Sequence, residues 1–468
     1  MKICMPRGAE FIIRSLENEG YEAYIVGGCV RDALLNREPE DWDITTNALP
    51  EQMKAIFPVT VDTGIQHGTL TVLVPPEEIE NGIRSFEVTT FRIDGEYTDH
   101  RHPNSVSFTS SLEEDLARRD FTMNAMAYHM DRGIIDPYFG QRDMGSHIVR
   151  AVGKAEDRFR EDALRMMRGI RFSAQLDFTL DEEAIRGIQK LRETLLDVSK
   201  ERIAVELWKL LASGHPEKVA LFFHYGLAPF ITEDFPEIQK RGIPDLLPDA
   251  AKEKWIRFGL FLRGVPTLSR KILRELKLDR DTMDKASRFV RLFSEEEVES
   301  PYGLRKRVAE CGIDMTFAFY EAKRALLLRK ETEEGRRKQD YAEGKGRKQG
   351  KAEIGTEENG IGECGIEEYG KEEQNKSCIE ERLRWLSAIK EKGDCVSLSD
   401  MAVCGKDLIA LGIAPGKELG VLLKALFERV LEFPEENEKG KLLKYLKEEM
   451  RMGHEIDFLP EDAGKERS

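Results

Sequence analysis

The first 140 residues alternate between two kinds of hydrophobic pattern. A helical pattern covers about residues 8–18 and is followed by the apolar run EAYIVGG. The segments GTLTVLV (68–74) and FEVTTF (86–91) are rich in β-branched and aromatic residues, which predicts two strands. Residues 112–130 predict a helix that passes into a strand. We therefore expect this part of the chain to form a mixed α/β region.

From about residue 150 onward, the apolar positions recur with the period of a helix. The segments EDALRMMRGIRFSAQL, ERIAVELWKLLAS, KWIRFGLFLRGV and LSRKILRELKL all show this period, and few strand signals remain. The pattern predicts a chain of the α+β class, in which a mixed sheet comes first and helices follow.

Residues 331–376 interrupt the helical pattern. This segment is dense in charge and glycine, and its only aliphatic residues beyond alanine are Ile354, Ile361 and Ile366. It can bury too little apolar surface to offset the entropy lost on ordering. We predict a flexible linker or insertion here, with helical pattern resuming near residue 379 and ending near 451.

Composition and charge exclude several classes of protein. The 468 residues suggest about three structural units. A net charge of -15 excludes a generally basic nucleic-acid-binding surface, but residues 150–171 hold seven Lys and Arg against four Asp and Glu, which predicts a local basic groove. Seven cysteines without a CxxC pair argue against structural zinc and favour a reducing compartment. Without a signal peptide or a membrane-spanning apolar run, we expect a cytoplasmic protein that makes no membrane contact.

The first chemical motif is YIVGGCVRDALLNREPEDWDITT (24–46). A strand ending at Gly27-Gly28 and followed by a helix lets backbone N–H groups approach a phosphate, and Arg31 could pair with it. If Asp41 and Asp43 lie on a strand, both carboxylates share one face and offer the oxygen ligands that Mg²⁺ prefers. Alone, a GG pair is usually a turn and a DxD pair is usually solvated. Together they predict a phosphate site beside a metal site, as nucleotidyl transfer requires.

The second motif is DLARRDFTMNAMAY (115–128), in which Arg118, Arg119 and Asp120 end a charged run. Taken alone, this run favours a solvated helix start with local ion pairs. Asn124 lies within the apolar run that follows, so its amide needs a hydrogen-bond partner.

The third motif is RFREDALRMMRGIRF (158–172), where Asp162 and Arg165 are three residues apart and share a face of one helix. An exposed helix with ion pairs is one interpretation. The other is an Asp–Arg fork that faces a nucleotide base, with Arg168 and Arg171 on its triphosphate. Cytosine and adenine present an amino donor beside a ring acceptor, and guanine and uracil present the reverse. Such a fork should accept C and A and reject G and U, because a mismatch leaves buried polar groups unpaired.

These motifs resemble those of the bacterial-type (class II) CCA-adding tRNA nucleotidyltransferases, which share ancestry with bacterial poly(A) polymerases. They occur in the family's order over about residues 20–210, and residues 404–432 resemble the family's tail more weakly. The matching stretches are GGCVRDALL…DWDITT, FRIDGEYTDHRHPNSVSF, RRDFTMNAMAY, DPYFGQRDM, REDALRMMRGIRFSAQLDF and SKERIAVEL.

The resemblance implies a nucleotidyltransferase palm as the head, followed by an all-α neck, body and tail. We expect the head at 1–149, a neck with the base-reading helix at 150–210 and a body at 211–330. A charged flexible linker is expected at 331–378 and a tRNA-binding tail at 379–468.

The resemblance also implies Mg²⁺-dependent, protein-templated addition of CCA to the tRNA 3′ end from CTP and ATP, with release of pyrophosphate. Asp41 and Asp43 match the catalytic carboxylates of a two-metal site, and Glu87 is a candidate third carboxylate. The positions that match nucleotide-binding residues are Gly28, Arg31, Arg119, Asp162, Arg165, Arg168 and Arg171.

Narrower or different activities are the alternatives: a poly(A) polymerase, an A-only or CC-only enzyme, or a catalytically dead RNA-binding module. The loop within residues 92–108, which is shortened in CC-only relatives, is intact here. Poly(A) polymerases tend to carry a basic C-terminal extension, whereas residues 405–468 hold 11 Lys and Arg against 14 Asp and Glu. The intact carboxylates and Arg165 argue against a dead module. The sequence leaves open whether the chain forms a homodimer.

Overall fold

The computed structural model describes residues 2–95, 106–342 and 364–452. The chain divides into two compact units, Met1–Val290 and Arg291–Ser468. The first unit begins with a mixed sheet and continues mainly with helices, and the described part of the second unit is helical. This confirms the predicted fold class.

The strands lie almost entirely in the first 150 residues, as the alternating pattern predicted. Their bounds are β1 Ala23–Val26, β2 Ile44–Thr46, β3 Thr60–Gly64, β4 Thr69–Leu73, β5 Ser85–Thr90, β6 Arg92–Asp94, β7 Val106–Phe108, β8 Ala127–His129, β9 Gly133–Ile135, β10 Ile148–Val149 and β11 Thr179–Leu180.

The α-helices continue to the end of the described residues. In the first unit they are α1 Arg7–Asn18, α2 Gly28–Leu34, α3 Pro50–Ile56, α4 Leu112–Ala117, α5 Gly140–Gly145, α6 Ala155–Glu161, α7 Leu164–Leu176, α8 Glu182–Leu191, α9 Lys200–Leu211, α10 Ala220–His224, α11 Ala228–Ile231, α12 Phe235–Lys240, α13 Lys254–Leu262, α14 Pro266–Glu275 and α15 Arg280–Leu292, the last of which crosses into the second unit. The second unit continues with α16 Pro301–Cys311, α17 Ile313–Ala342, α18 Cys364–Lys392, α19 Gly405–Ala410, α20 Lys417–Glu432 and α21 Lys439–Met452.

The main sheet has the strand order β3-β4-β5-β2-β1-β8-β9. The pair β2 and β5 is parallel, and the other neighbours in this sheet are antiparallel. The strands predicted at 68–74 and 86–91 are β4 and β5, and burial alternates along both of them. This alternation follows from the period of two along a strand, because one face of the sheet packs on the core.

Each unit has its own apolar core. In the first unit, Tyr24, Val26 and Ala127 on the sheet pack with Phe91 and Leu116. In the second unit, one cluster joins residues of α19, α20 and α21 with the segment before them, including Leu408, Leu426 and Leu446. Burying these side chains is the main favourable term that orders the elements around them.

Three sequence expectations differ from the structure or fall outside it. The predicted linker is helical at both ends, because α17 reaches Ala342 and α18 begins at Cys364. Its Glu, Lys, Arg and Gln are strong helix formers, so packed helices can extend into it without an apolar core. Residues 343–363 and 96–105, which include the centre of the linker and of the predicted loop, lie outside the described residues. The short strand β11 interrupts the region expected to be all-α.

Candidate active site

Two aspartates open into a cavity at the start of β2. Asp41 and Asp43 line a cavity of about 570 Å³ together with Glu87, while Trp42 between them is buried. The strand β2 begins at Ile44, directly after Asp43, so the expectation that Asp41 and Asp43 lie on the strand was wrong. The backbone still continues the ladder here, because the N–H of Val26 donates to the carbonyl of Asp43 at 3.0 Å. The predicted alternation therefore holds, with both carboxylates on the open face.

Glu87 joins the two aspartates through the strand register. Ile44 of β2 pairs with Val88 of β5 in parallel register, so the residues that precede them, Asp43 and Glu87, are neighbours. Burial by surrounding protein raises the pKa of the Asp43 carboxyl even though the side chain opens to the cavity; Arg119 lowers that pKa, and Glu87 and Asp41 raise it. The three carboxylates thus repel one another, which a bound cation would relieve.

The donor set fits Mg²⁺. Among the described residues, no three His, Cys, Asp or Glu side chains form a complete metal-ligand group. Mg²⁺ does not require one, because it is usually held by one or two carboxylates and takes its other ligands from water and substrate phosphates. Asp41 and Asp43 are oxygen donors beside an open cavity, so they can hold such an ion.

The turn from β1 into α2 lets the side chain of Arg119 come close to the backbone. Gly27 caps α2 with a φ of 82°, a conformation that favours glycine. A Cβ at Gly27 would also lie 2.8 Å from Nη1 of Arg119. The positive φ and the close approach of Arg119 therefore both favour glycine at this turn. The predicted order of strand, glycine pair and helix is present, with β1 ending at Val26 and α2 beginning at Gly28.

Arg119 is held by a carboxylate that the sequence reasoning missed. Asp115 is fully buried and lies 3.5 Å from Nη2 of Arg119 and 2.8 Å from Nη2 of Arg118. It also accepts a hydrogen bond from the hydroxyl of Thr45 at 3.2 Å. Burial raises the pKa of the Asp115 carboxyl, but Arg118 and Arg119 outweigh burial and hold the pKa below its usual range. The interpretation of the charged run as a solvated helix start is therefore wrong for Asp115, which is buried. The local ion pairs that this interpretation included are present.

A chain of polar side chains links α2 to α7. Nη1 of Arg31 donates to Oδ1 of Asn124 at 2.6 Å, and Nδ2 of Asn124 donates to Oδ1 of Asp120 at 3.0 Å. Asp120 then accepts from Nε of Arg168 at 2.8 Å. The partner that Asn124 was expected to need is therefore present, and the chain connects two predicted nucleotide-binding arginines.

Asp162 and Arg165 do not share a face of one helix. Helix α6 ends at Glu161 and α7 begins at Leu164, so Asp162 lies in the break and accepts from the N–H of Leu164 at 3.0 Å. This bond ties the Asp162 carboxylate to the first residue of α7. Arg165 pairs with Glu161 at 2.6 Å and donates to the carbonyl of Arg118 at 2.9 Å. The two side chains of the predicted fork are therefore held by different partners.

Arg168 and Arg171 belong to a network of partly buried charges. Arg168 lies 2.6 Å from Asp120 and 3.8 Å from Glu206 of α9, and Arg171 lies 2.5 Å from Glu206. Burial lowers the pKa of Arg171, and Glu206 opposes that shift. The guanidinium of Arg171 also stacks 3.7 Å from the ring centroid of Phe172. These arginines have acidic partners, so the predicted basic groove is largely neutralised within the protein.

Comparison with known proteins places this site in a family. A model of the poly A polymerase head domain matches residues 23–150, and a model described as a probable RNA and SrmB-binding site of polymerase A matches residues 177–240. A CCA-adding enzyme of Geobacillus thermodenitrificans is 47% identical over 247 residues, which is 53% of this chain and 56% of that relative. The chain thus spans little more than half the length of that curated relative.

Two further relatives match along almost the whole chain. A CCA-adding enzyme of Enterococcus faecalis is 33% identical over 455 residues, which covers 94% of this chain and 96% of the relative. The crystal structure of the Bacillus stearothermophilus CCA-adding enzyme in complex with CTP is 30% identical, with a TM-score of 0.73, over 96% of this chain and 99% of that one. Within the described residues, no helix has both the length and the apolar character needed to cross a membrane. By its motifs, its fold and these two full-length matches, the chain belongs to the family of bacterial-type CCA-adding tRNA nucleotidyltransferases.

Proposed function

We propose that this protein adds the sequence CCA to the 3′ end of tRNA, using CTP and ATP and releasing pyrophosphate. One observation carries the proposal: the Asp41, Asp43 and Glu87 carboxylates line one cavity, and Arg119, which lowers the pKa of Asp43, lies against the Gly27 turn. Carboxylates for a metal next to backbone and arginine groups for phosphate are what transfer of a nucleotidyl group needs. The full-length relative from Enterococcus faecalis carries the same activity in its name.

Asp41 and Asp43 would hold Mg²⁺, with Glu87 near them. When bound, Mg²⁺ neutralises phosphate charge and lowers the pKa of the attacking hydroxyl group. The protein's part is to keep these carboxylates open to the cavity, while Trp42 between them in the chain is buried. No protein nucleophile is required, because the tRNA 3′-hydroxyl attacks the α-phosphate.

Arg31, Arg119 and the N–H groups around Gly28 would bind the triphosphate. Asp115 and Asn124 hold the two arginines by the contacts described above. Nε of Arg119 is buried and has no hydrogen-bond partner among the described residues. Such a group is costly to leave unpaired, so an incoming phosphate oxygen would gain from meeting it.

Asp162 and Arg165 would read the base. Asp162 can accept from the amino group of cytosine or adenine, and Arg165 can donate to the neighbouring ring nitrogen. Arg168 and Arg171 would act nearer the phosphates, and each must then share its acidic partner with the nucleotide. The division into head, neck, body and tail remains part of this proposal, as does action in the cytoplasm, where tRNA is used.

The direct test is incubation of the protein with tRNA that lacks its 3′ CCA, Mg²⁺ and each labelled nucleotide triphosphate, singly and mixed. We expect two C residues from CTP alone and one further A when ATP is added. Failure to incorporate CTP would refute the proposal. A long A tail from ATP would instead identify a poly(A) polymerase, and products that stop at CC or start only from CC would identify the narrower enzymes.

A second test removes a metal ligand. Asp41→Ala should abolish transfer with little effect on unfolding, because the side chain is exposed and serves the metal rather than the core. Asp62→Ala is the matched control, since Asp62 is an exposed carboxylate of β3 that pairs with Lys54. Full activity in Asp41→Ala would contradict the assignment, provided that thermal unfolding shows both variants to be folded.

A further inference from the structure

Arg202 of α9 binds both oxygens of the Asp162 carboxylate. Its Nη2 donates to Oδ2 at 2.7 Å, and its Nη1 donates to Oδ1 at 3.3 Å. This is the two-pronged contact in which a guanidinium fixes the plane and the rotation of a carboxylate. The sequence motifs assigned no role to Arg202, because its partner Asp162 lies 40 residues away in the chain.

The remaining capacity of Asp162 can be counted. A carboxylate has about four lone-pair directions. On Oδ1, the N–H of Leu164 and Nη1 of Arg202 take up two, and on Oδ2, Nη2 of Arg202 takes up a third. As far as residues 2–95, 106–342 and 364–452 are concerned, one direction on Oδ2 is therefore left. A single free acceptor of fixed orientation is what is needed to receive one amino hydrogen of a base.

Arg165 is also held by two hydrogen-bond partners. Its Nη1 donates to Glu161, and its Nη2 donates to the carbonyl of Arg118. The acceptor and the donor that would read the base are thus each fixed by a partner from elsewhere in the fold. For Asp162 that partner is the α9 helix, through Arg202.

We propose that Arg202 is a positioning residue for nucleotide selection: it sets the orientation of the Asp162 carboxylate and so favours bases with an amino group over bases with a carbonyl group at that point. This inference rests on the proposed function and deepens it. Without Arg202, the carboxylate keeps only the bond from the N–H of Leu164 among the three counted above, so it can rotate about that bond and bind water. Uracil then loses less by meeting it, and cytosine gains less, so the preference between them falls.

The test compares Arg202→Ala and Arg202→Lys with the unchanged protein. The values of kcat and KM are measured for CTP and for UTP on tRNA that lacks CCA. We expect Arg202→Ala to lower the ratio of kcat/KM for CTP to that for UTP by about tenfold or more, as expected when one charged hydrogen bond is lost. Arg202→Lys keeps the charge but not the two-pronged contact, so its ratio should fall between the other two. Arg186→Ala is the matched control, because Arg186 forms an exposed pair with Glu182.

A double variant separates positioning from other roles. If Arg202 acts through Asp162, Arg202→Ala should have no further effect on the ratio in an Asp162→Ala background. The inference is overturned if the two losses multiply, if Arg202→Ala leaves the ratio unchanged, or if CTP and UTP rates fall in parallel. If Arg202→Ala fails to fold, an unchanged ratio in Arg202→Lys overturns it equally. The unchanged protein tests the proposed function by itself, since failure to use CTP would refute that function and not the geometry of this pair.

Discussion

The charged carboxylate of Asp120 stabilises the contact between helix α7 and the segment before β8 in the first unit. Its carboxylate is 8% exposed, and its Oδ1 accepts from the N–H of Phe121 at 2.8 Å and from Asn124 at 3.0 Å. Nε and Nη2 of Arg168 both meet Oδ2, at 2.8 Å and 2.6 Å. These partners, with Arg168 first, outweigh burial and hold the pKa of Asp120 well below its usual range. Asp120→Asn keeps the volume, removes the charge and turns one acceptor into a donor that faces Arg168.

The expected loss of stability depends on the partners that Arg168 retains in the variant. Breaking a buried ion pair by removing one partner costs about 3–5 kcal/mol. Arg168 retains Glu206 at 3.8 Å, and its side chain is 34% exposed, so water and the second carboxylate compensate in part. We expect a loss of about 2–3 kcal/mol in the free energy of unfolding of the first unit. In a unit of this size, that lowers Tm by about 4–6 °C.

Differential scanning calorimetry at neutral pH measures this shift in the full chain. Asp157→Asn is the control, because Asp157 and its partner Arg160 lie 3.4 Å apart with both side chains largely exposed. Its Tm should stay within about 1 °C of the unchanged protein. An Asp120→Asn variant as stable as the control would refute the view that this carboxylate stabilises the contact. An equal loss in the control would refute the argument from burial.

Three other predictions concern the same region. Asp115→Asn should reduce the loss of folding stability that acid causes. The pKa of Asp115 in the folded protein lies below the unfolded value of about 3.9, so its ionised carboxylate stabilises the fold fully above that pH, and this stabilisation is lost as pH falls through the folded pKa. Urea midpoints at neutral pH and near pH 3 measure this, and an unchanged pH difference would contradict it. Gly27→Ala should cost about 1–2 kcal/mol and raise KM for nucleotides, because φ is 82° and the new Cβ meets Arg119 at 2.8 Å; unaltered Tm and KM would refute the close approach. Mg²⁺ alone should raise Tm of the unchanged protein but not of Asp43→Ala, and an equal rise in both would place the metal elsewhere.

Local patterns predicted the elements better than their ends. The strands β4 and β5 followed from β-branched and aromatic residues at alternating positions, and Gly27 followed from its place between a strand and a helix. The break at Asp162 did not follow, because EDALRMM fits one helix as well as two. Aspartate is also a good helix cap, so the break is compatible with the sequence, but only tertiary packing selects it.

The candidate site shows the same limit. Asp41, Asp43 and Arg31 were found because they lie close together in the chain. Asp115, Arg202 and Glu206 were missed because their partners come from other elements. Glu206 did leave a signal, since it is a carboxylate among the buried positions Ile203 and Leu207 of α9. A charged residue on the apolar face of a helix requires a buried partner, and a search for such residues would have identified it.

The parallel pairing of β2 with β5 has a consequence for how the protein folds. Ile44 and Val88 meet only after the chain between them has closed a long loop, which carries an entropic cost that must be met before the contact forms. Asp43 and Glu87 are therefore far apart in the unfolded chain and in any isolated hairpin. Their mutual repulsion is absent until β2 and β5 pair, so it opposes that pairing and not the formation of the local hairpins. Divalent cations present during refolding should accordingly act on the pairing of β2 with β5 and leave the hairpins unchanged.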